Sequence, residues 1–326
     1  MPTQITDVVV PEIFTDYTME ESIYKSRFFL SNIISDEAGL SNLVAGGGRT
    51  FNIPFWQDVD NTESGIPVEN TDGTLDKITA SKQVGVRLQR YKYWGSEDMA
   101  KSLAGSDPMQ AIADRVIGYW AQDYDKTLIS IVDGVIADNI ANDSSDLVNV
   151  TATAFDDDGV IDTQALLGEN GTVGRGDLNN GDFVGIAVHP NTFALMRKND
   201  LITFVPVSEQ VRPIPMYMGM NVIVDRNLPV DGGVYTSIIF KSSAFGFGIS
   251  GNLIVPTEVD RDPKKGMGQD QLFTRRNYII HPQGFEYTGT SAGEYPTNTE
   301  LAGASSWSRV FEKENIGFCA YQHTLV

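Results

Sequence analysis

Apolar residues recur at every second position directly after a run of three glycines. In GGGRTFNIPFW, residues 46–56, they are Phe51, Ile53 and Phe55. This period is typical of a β-strand with one buried face. The glycines therefore predict a bend from which the chain enters a strand. A phosphate-binding loop would need a strand before the glycines and a helix after them, and neither is indicated here.

A second alternating stretch, QVGVRLQRYKYW at residues 83–94, is the predicted partner of this strand in a hairpin. The intervening residues 57–80 carry six acids, one lysine and few apolar side chains. Connections of this length are uncommon inside compact domains, and ordering them costs on the order of 1 kcal/mol per residue. We therefore predict a flap that reaches away from its own domain and is ordered mainly by a neighbouring molecule.

The pattern changes to steps of three and four residues over 107–139, which predicts a long amphipathic helix. Asp107 is a suitable N-cap, and Pro108 occupies the favoured first helical position. About 30 residues would give a helix of roughly 45 Å, a structural beam. One face carries Met109, Tyr124 and Ile131 together with the predicted core residues Ile112, Val116, Trp120, Leu128 and Val135.

The remaining pattern is mixed. Residues 1–45 predict an extended arm with short helical pieces that lies across something else. Short helices are predicted at 161–170 and 189–200. Strands are predicted at 183–188, 220–225, 234–240, 252–259, 277–282 and 285–287. Repeats and linkers are absent from the sequence, which predicts intertwined domains.

Charge and composition exclude or disfavour several classes of function. The 326 residues carry a formal net charge of −19, which disfavours a nucleic-acid reader because such proteins need Lys and Arg to replace counterions. One cysteine, Cys319, excludes an internal disulfide framework. The sequence contains no signal-peptide pattern and no apolar run of the ~18 residues that a membrane helix needs. We expect a protein that folds in a reducing cytoplasm.

Three motifs suggest catalysis or cofactor binding, but their contexts disagree. GFGISG, residues 246–251, matches the dinucleotide fingerprint, yet a β-branched stretch follows where a helix is required, so we interpret it as a turn between strands. GTSAG around Ser291 matches a nucleophile elbow, with His323 downstream, but a polar loop follows it. Ser22 and Lys25 have acyl-transfer spacing without the companion motifs.

Metal sites are weakly indicated. FDDDGVIDTQAL, from residue 155, resembles a calcium loop that lacks the bidentate glutamate. Asp156 and Asp158 leave a weak cation site open, and a solvated acidic turn is the preferred interpretation. The three histidines have no metal-ligand spacing. We therefore predict no catalytic residue, no cofactor and no metal centre.

Several phrases, in this order, resemble the major capsid proteins of tailed bacteriophages, which have the Hong Kong 97-type fold. They are IAVHPNTFALMRK, YMGMNVIVDRNLPVDGGVYTSIIFKSSAFGFG, DRDPKKGMGQDQLFTRRNYIIHPQGFEY and PTNTELAGASSWSRVFEKENIGFCAY. The resemblance implies an α+β fold with an N-arm at 1–48 and an E-loop hairpin at 49–94. A peripheral domain with the long spine helix would cover 95–154, an axial domain 155–258, and a return to the peripheral domain 259–326.

The resemblance also implies a structural, non-enzymatic function. Copies would assemble through pentamers and hexamers into an icosahedral head in the host cytoplasm, enclosing double-stranded DNA without specific binding. The implied partners are a separate scaffolding protein, a portal and, in some members, a decoration protein. The candidate hinge and assembly-interface residues are Gly46, Gly47, Gly48, Arg49, Phe51, Phe55, Trp56, Arg87, Arg90 and Tyr93.

Two alternatives stay open at this point. A phage tail or decoration protein would form rings, tubes or trimers instead of closed shells. A β-rich hydrolase with surface carboxylates would show a deep pocket and acids with raised pKa values.

Overall fold

A computed structural model describes residues 27–57, 59, 63–66, 69, 72, 75–98, 108–168, 183–205, 214–251, 254–265 and 267–325. Most of the predicted arm, the N-cap prediction for Asp107 and parts of the flap lie outside these residues. The helices are α1 (Arg27–Leu30), α2 (Ala38–Ala45), α3 (Pro108–Asn142), α4 (Asp157–Ala165), α5 (Pro190–Lys198) and α6 (Asn298–Leu301), with 3-10 turns at Ala304–Ser306 and Lys313–Asn315.

The strands of the described residues form two large sheets and two separate strand pairs. They are β1 (Ile34–Asp36), β2 (Thr50–Trp56), β3 (Ala80–Val86), β4 (Leu88–Glu97), β5 (Val148–Ala154), β6 (Phe183–Val188), β7 (Thr203–Val205), β8 (Ile214–Tyr217), β9 (Met220–Val224), β10 (Val230–Asp231), β11 (Val234–Lys241), β12 (Phe245–Ile249), β13 (Thr257–Asp262), β14 (Gln269–Pro282), β15 (Phe285–Tyr287), β16 (Trp307–Arg309) and β17 (Phe318–Thr324).

The five-stranded sheet has the order β1-β12-β14-β13, with β4 paired along β14. The eight-stranded sheet has the order β5-β17-β11-β6-β9-β8-β7, with β10 paired to β11. One cluster of buried side chains extends across both sheets. Strand β12 comes from the predicted axial segment but belongs to the five-stranded sheet. Strand β17 comes from the predicted return segment but belongs to the eight-stranded sheet.

The long helix α3 has 35 residues, about 52 Å at 1.5 Å per residue. It covers one face of the five-stranded sheet: the rings of Tyr124 and Tyr278 lie 4.9 Å apart, edge to face. On the predicted apolar face, Val116, Trp120, Leu128 and Val135 are at most 1% exposed, and Ile112 packs partly buried against them.

The described part of the predicted arm belongs to the body. Phe28 and Ile33 lie in the main core, and Leu40 and Val44 of α2 pack with Phe51 in a second apolar cluster. The short helical pieces predicted for this stretch are therefore present in residues 27–45, which lie across the body and bury apolar side chains in it.

The predicted hairpin partner, residues 83–94, is two strands and not one. β3 pairs antiparallel with β2, from Thr50 opposite Val86 to Trp56 opposite Ala80. β4 instead pairs antiparallel with β14 in the five-stranded sheet. The prediction is thus right for β3 and wrong for β4, because alternation identifies a strand but not the strand beside it.

GFGISG forms most of a strand and not the predicted turn. Gly246 and Gly248 lie within β12, where α2 packs directly on the backbone. A Cβ on Gly248 would stand 2.6 Å from the backbone nitrogen of Ser41. The glycines permit this close approach, and that requirement, not a turn, explains their spacing.

Other strand and helix predictions hold with shifted ends. The predicted strands at 183–188, 220–225, 234–240, 277–282 and 285–287 are confirmed by β6, β9, β11, β14 and β15, whereas β13 begins only at Thr257. The helix predicted at 161–170 begins at Asp157 and ends at Ala165. None of the helices in the described part of the chain is long and apolar enough to cross a bilayer.

Candidate functional site

The triple glycine ends helix α2 and turns the chain into the hairpin. Gly46 caps the helix, its N–H directed at the carbonyls of Asn42 and Leu43. Gly47 and Gly48 have φ values of +88° and +90°, in the left-handed region that disfavours residues with a Cβ. The bend that the sequence predicts is therefore a requirement of the backbone at these two positions.

Two arginines tie this region to the loop at residues 289–298. Arg49, directly after the glycines, donates a hydrogen bond to Oγ of Ser291. Arg90 in β4 donates to the carbonyl of Pro296 at 2.7 Å and to Oδ1 of Asn298 at 3.1 Å. Oγ of Ser291 thus accepts a structural hydrogen bond. His323, the histidine downstream of the GTSAG motif, lies in β17, with its Nε2 3.0 Å from Oγ of Ser237.

Arg87 lies at the junction of β3 and β4, and its side chain is only 5% exposed. Its Nη2 donates to the carbonyl of Val44 at 2.6 Å, and its guanidinium lies 5.3 Å from the ring centre of Phe51. The backbone N–H of Arg87 also donates to the carbonyl of Arg49, 2.9 Å away. Arg87 therefore fastens both hairpin strands to the end of helix α2.

A buried polar pair fixes the return strand of the hairpin. Oε1 of Gln83 accepts from Nε2 of His281 at 2.8 Å and from the backbone N–H of Gly284 at 3.3 Å. Burial lowers the pKa of the His281 imidazole from 6.5 to about 4. We call Arg49, Phe51, Gln83 and Arg87 the hairpin root. No pattern in the sequence indicates the contact of Gln83 with His281, which are 198 positions apart.

This pKa shift predicts a specific loss of stability in acid. Below pH 6.5 the unfolded chain protonates His281 while the folded chain does not, so the free energy of unfolding falls between pH 6.5 and about 4. Each pKa unit is worth about 1.4 kcal/mol. We expect His281→Gln to show a smaller fall from pH 7 to 4.5 than the parent, measured by urea denaturation. Equal falls in both proteins would contradict the assignment.

Beyond the root, the hairpin leaves the body. Phe55 still packs on it, with its ring 4.7 Å from that of Phe311. The next residue, Trp56, is 68% exposed. Among the described residues farther out, the exposed apolar side chains are Val59, Ile66, Leu75 and Ile78. The flap therefore has two parts: a root packed on its own chain and a distal part whose described apolar side chains face solvent.

Tyr93 lies on the face of the five-stranded sheet opposite helix α3. Its ring stacks on Tyr91 at 4.7 Å and meets Phe273 edge to face at 4.9 Å. The guanidinium of Arg275 lies 5.9 Å from the Tyr93 ring centre and forms an ion pair with Glu258. We call Tyr91, Tyr93, Phe273 and Arg275 the aromatic face. Aromatic and arginine side chains in such an exposed group are typical of protein–protein interfaces.

The acidic motif after residue 155 has a structural explanation. Asp156 is the N-cap of α4, and its Oδ1 accepts from the backbone N–H of Gly159 at 2.9 Å and from the Tyr321 hydroxyl at 3.0 Å. Asp156 is exposed, as the interpretation of a solvated acidic turn expects, and it also caps the helix. Within the described residues, no three His, Cys, Asp or Glu side chains are grouped to hold a metal ion.

The sequence and the fold were compared with those of known proteins. No family model matches the sequence. The chain is 34% identical over 332 residues to the major capsid protein of Bacillus phage SPP1, covering 99% of this chain and 98% of that protein. Its fold is similar to the capsid of cyanophage Pam1 (TM-score 0.59, 10% identity, 93% of each chain). It is also similar to the capsid of Ralstonia phage GP4 (TM-score 0.56, 11% identity, 90% and 87% of the two chains). The α+β capsid fold predicted from the sequence is thus confirmed, and this chain belongs to the family of phage major capsid proteins.

Proposed function

We propose that this capsid protein forms an icosahedral head through pentamers and hexamers, and that the head encloses double-stranded DNA. Membership of the family establishes a structural virion component that assembles into multimers. The observation that supports the finer proposal is the two-part hairpin. Its root is fixed to its own chain, whereas Leu75 in its distal part is 98% exposed and Ile66 82% exposed.

Exposed apolar surface of this kind is typical of an interaction site. A second copy is the occupant that a self-assembling subunit supplies. We propose that the triple glycine at 46–48 acts as the hinge between the arm and the hairpin, and that Trp56 and Tyr93 lie in subunit interfaces. Both side chains are exposed in the single chain, Trp56 to 68% and Tyr93 to 45%.

The domain assignment and the partners belong to the same proposal. Residues 1–48 would form the N-arm, 49–94 the E-loop hairpin, 95–154 and 259–326 the peripheral domain, and 155–258 the axial domain. Assembly would occur in the host cytoplasm with a scaffolding protein, a portal and, in some shells, a decoration protein. The net charge of −19 supports a container that encloses DNA without gripping it.

Shortening the hairpin tests the proposal. We expect deletion of residues 65–74 to leave a folded subunit, because the hydrogen bonds described for the root lie outside the deleted segment. The same subunit should fail to form stable closed shells. Circular dichroism and thermal melting measure folding, and electron microscopy of the protein expressed with its neighbouring gene products measures assembly.

The matched control keeps ten residues at 65–74 but replaces them with glycine and serine. If side chains in the segment dock on a neighbour, this variant should also fail to assemble. Normal shells from the deletion variant would contradict the docking of the hairpin. Rings or tubes from the parent protein, with no closed shells, would instead favour a tail-type assembly.

A further inference from the structure

Helix α5 begins with an unusual N-cap. Its N-cap residue is His189, and Nδ1 of the imidazole accepts a hydrogen bond from the backbone N–H of Asn191 at 3.2 Å. Pro190 has no N–H, so the amide of Asn191 is the first one that the helix has to satisfy. Ser, Thr, Asp and Asn usually occupy the cap position. Histidine differs from all of them because its charge ordinarily changes between pH 5 and 8.

The geometry of this cap requires a neutral imidazole. A backbone N–H can only donate, so Nδ1 of His189 presents its lone pair, and the hydrogen of the neutral ring lies on Nε2. An imidazolium carries a hydrogen on both nitrogens and cannot accept the bond from Asn191. It would also place a positive charge at the N-terminal end of the helix, where the helix dipole disfavours cations. Protonation of His189 would therefore abolish the cap.

A carboxylate lies near the ring, at the end of the neighbouring strand. Strands β6 and β9 pair in parallel, and Asp225 follows β9 as His189 follows β6. The backbone N–H of Asp225 donates to the carbonyl of Val188 at 3.1 Å, which holds the two strand ends together. Oδ1 of Asp225 accepts two hydrogen bonds from Asn227, each 2.8 Å long. An imidazolium at position 189 would therefore pair with Oδ2.

The other groups around His189 belong to the eight-stranded sheet. The ring of Tyr235 in β11 lies 5.1 Å from the imidazole, and its hydroxyl accepts a hydrogen bond from Nδ2 of Asn191 at 3.0 Å. The imidazole of His323 in β17 stacks on the same tyrosine at 6.3 Å. Among the described residues, Asp225 is the charged group that acts on His189. Burial lowers the pKa of the His189 imidazole from 6.5, and this carboxylate opposes the shift.

We propose that His189 is an acid-sensitive cap, whose ring on protonation leaves the N–H of Asn191 and pairs with Asp225, so that the first turn of α5 loosens. The cap is complete in neutral solution and is lost as the pH falls below 6.5. Helix α5 has nine residues, and helices this short have little stability of their own. The inference goes beyond the proposed function and does not depend on it.

Nitrogen NMR of the imidazoles in the intact protein tests the protonation state. We expect His189 to carry hydrogen on Nε2 alone at pH 8 and on both nitrogens at pH 5. Asp225→Asn should move the midpoint of this titration to lower pH, because it removes the carboxylate that favours the charged ring. A neutral ring with its hydrogen on Nδ1, or a midpoint that Asp225→Asn leaves unchanged, would overturn the proposal.

Hydrogen exchange tests the helix itself. The first helical bond runs from the N–H of Phe193 to the carbonyl of His189, 2.9 Å away. We expect the protection factor of this amide to fall by about fivefold from pH 8 to pH 5, a typical effect of losing an N-cap.

His189→Asn is the matched control, because asparagine caps a helix equally well and does not titrate. It should keep the protection of the Phe193 amide at pH 5, whereas His189→Ala should have low protection at both pH values. Since both variants retain His281, any general loss of stability in acid is common to all three proteins. An equal fall in the parent and in His189→Asn would show that His189 is not the switch.

Discussion

Replacing Trp120 by alanine is expected to lower the free energy of unfolding of the subunit by about 3–5 kcal/mol, the usual cost of removing a large buried aromatic side chain. Trp120 is 1% exposed, in the contact between helix α3 and the five-stranded sheet. Its Nε1 donates to Oγ1 of Thr274 at 3.2 Å. Its ring lies 5.1 Å from the guanidinium of Arg276, whose pKa is lowered by burial. The substitution therefore leaves a cavity and uncovers one face of a desolvated cation.

Trp56→Ala is the matched control, since it makes the same chemical change at a side chain that is 68% exposed. We expect it to change the free energy of unfolding by less than about 0.5 kcal/mol, as surface substitutions do. Urea denaturation of the isolated subunits, followed by circular dichroism, measures both effects. A Trp120→Ala subunit that unfolds at the parent's urea concentration would remove this helix face from the core.

The helix could be predicted closely because its signal is local. Apolar residues at three- and four-residue steps depend only on which side of the helix meets the sheet, so the burial of Val116, Leu128 and Val135 follows from spacing alone. The pairing of β4 could not be predicted in this way. Its partner β14 lies far along the chain, and the apolar alternation of β4 fits either neighbour.

The hairpin root shows the same limit. Gly47 and Gly48 predicted a bend, because consecutive glycines favour backbone conformations that other residues avoid. The bond between Gln83 and His281 had no counterpart in the pattern, because each residue looks like an ordinary polar strand position. The prediction that a neighbouring molecule orders the flap therefore did not foresee that the hairpin root is held by its own chain. Only the distal part of the flap agrees with that prediction, since side chains such as Leu75 are exposed there.

These differences have a common physical origin. The local spacing of apolar residues shows which face of an element is buried. A close approach between distant segments leaves only one signal in the sequence, a glycine at a position where a side chain would otherwise stand. Gly248 allows helix α2 to lie against β12, and its motif was misinterpreted as a turn. Gly134 in α3 is a second case, in which a glycine lies where helix propensity alone would favour alanine.

Gly134→Ala is expected to destabilise the subunit by about 2 kcal/mol or more, because overpacking at a rigid contact outweighs the ~1 kcal/mol gain in helix propensity. A Cβ at this position would overlap the carbonyl oxygen of Leu301 and stand 2.8 Å from Cδ1 of Trp307. That carbonyl accepts a hydrogen bond from Nε1 of Trp307 at 2.7 Å. The added methyl group would therefore push the C-terminal segment away from the helix.

Gly118→Ala in the same helix makes the same change where, apart from the adjoining helix backbone, no atom of the described residues lies within 4 Å of the new Cβ. There only the propensity term acts, so a gain of up to about 1 kcal/mol is expected. The two substitutions should thus shift the urea midpoint in opposite directions. If both substitutions raised the urea midpoint, the contact of α3 with Leu301 and Trp307 would be loose enough to admit a methyl group. The position of the C-terminal segment would then not depend on a glycine in the helix.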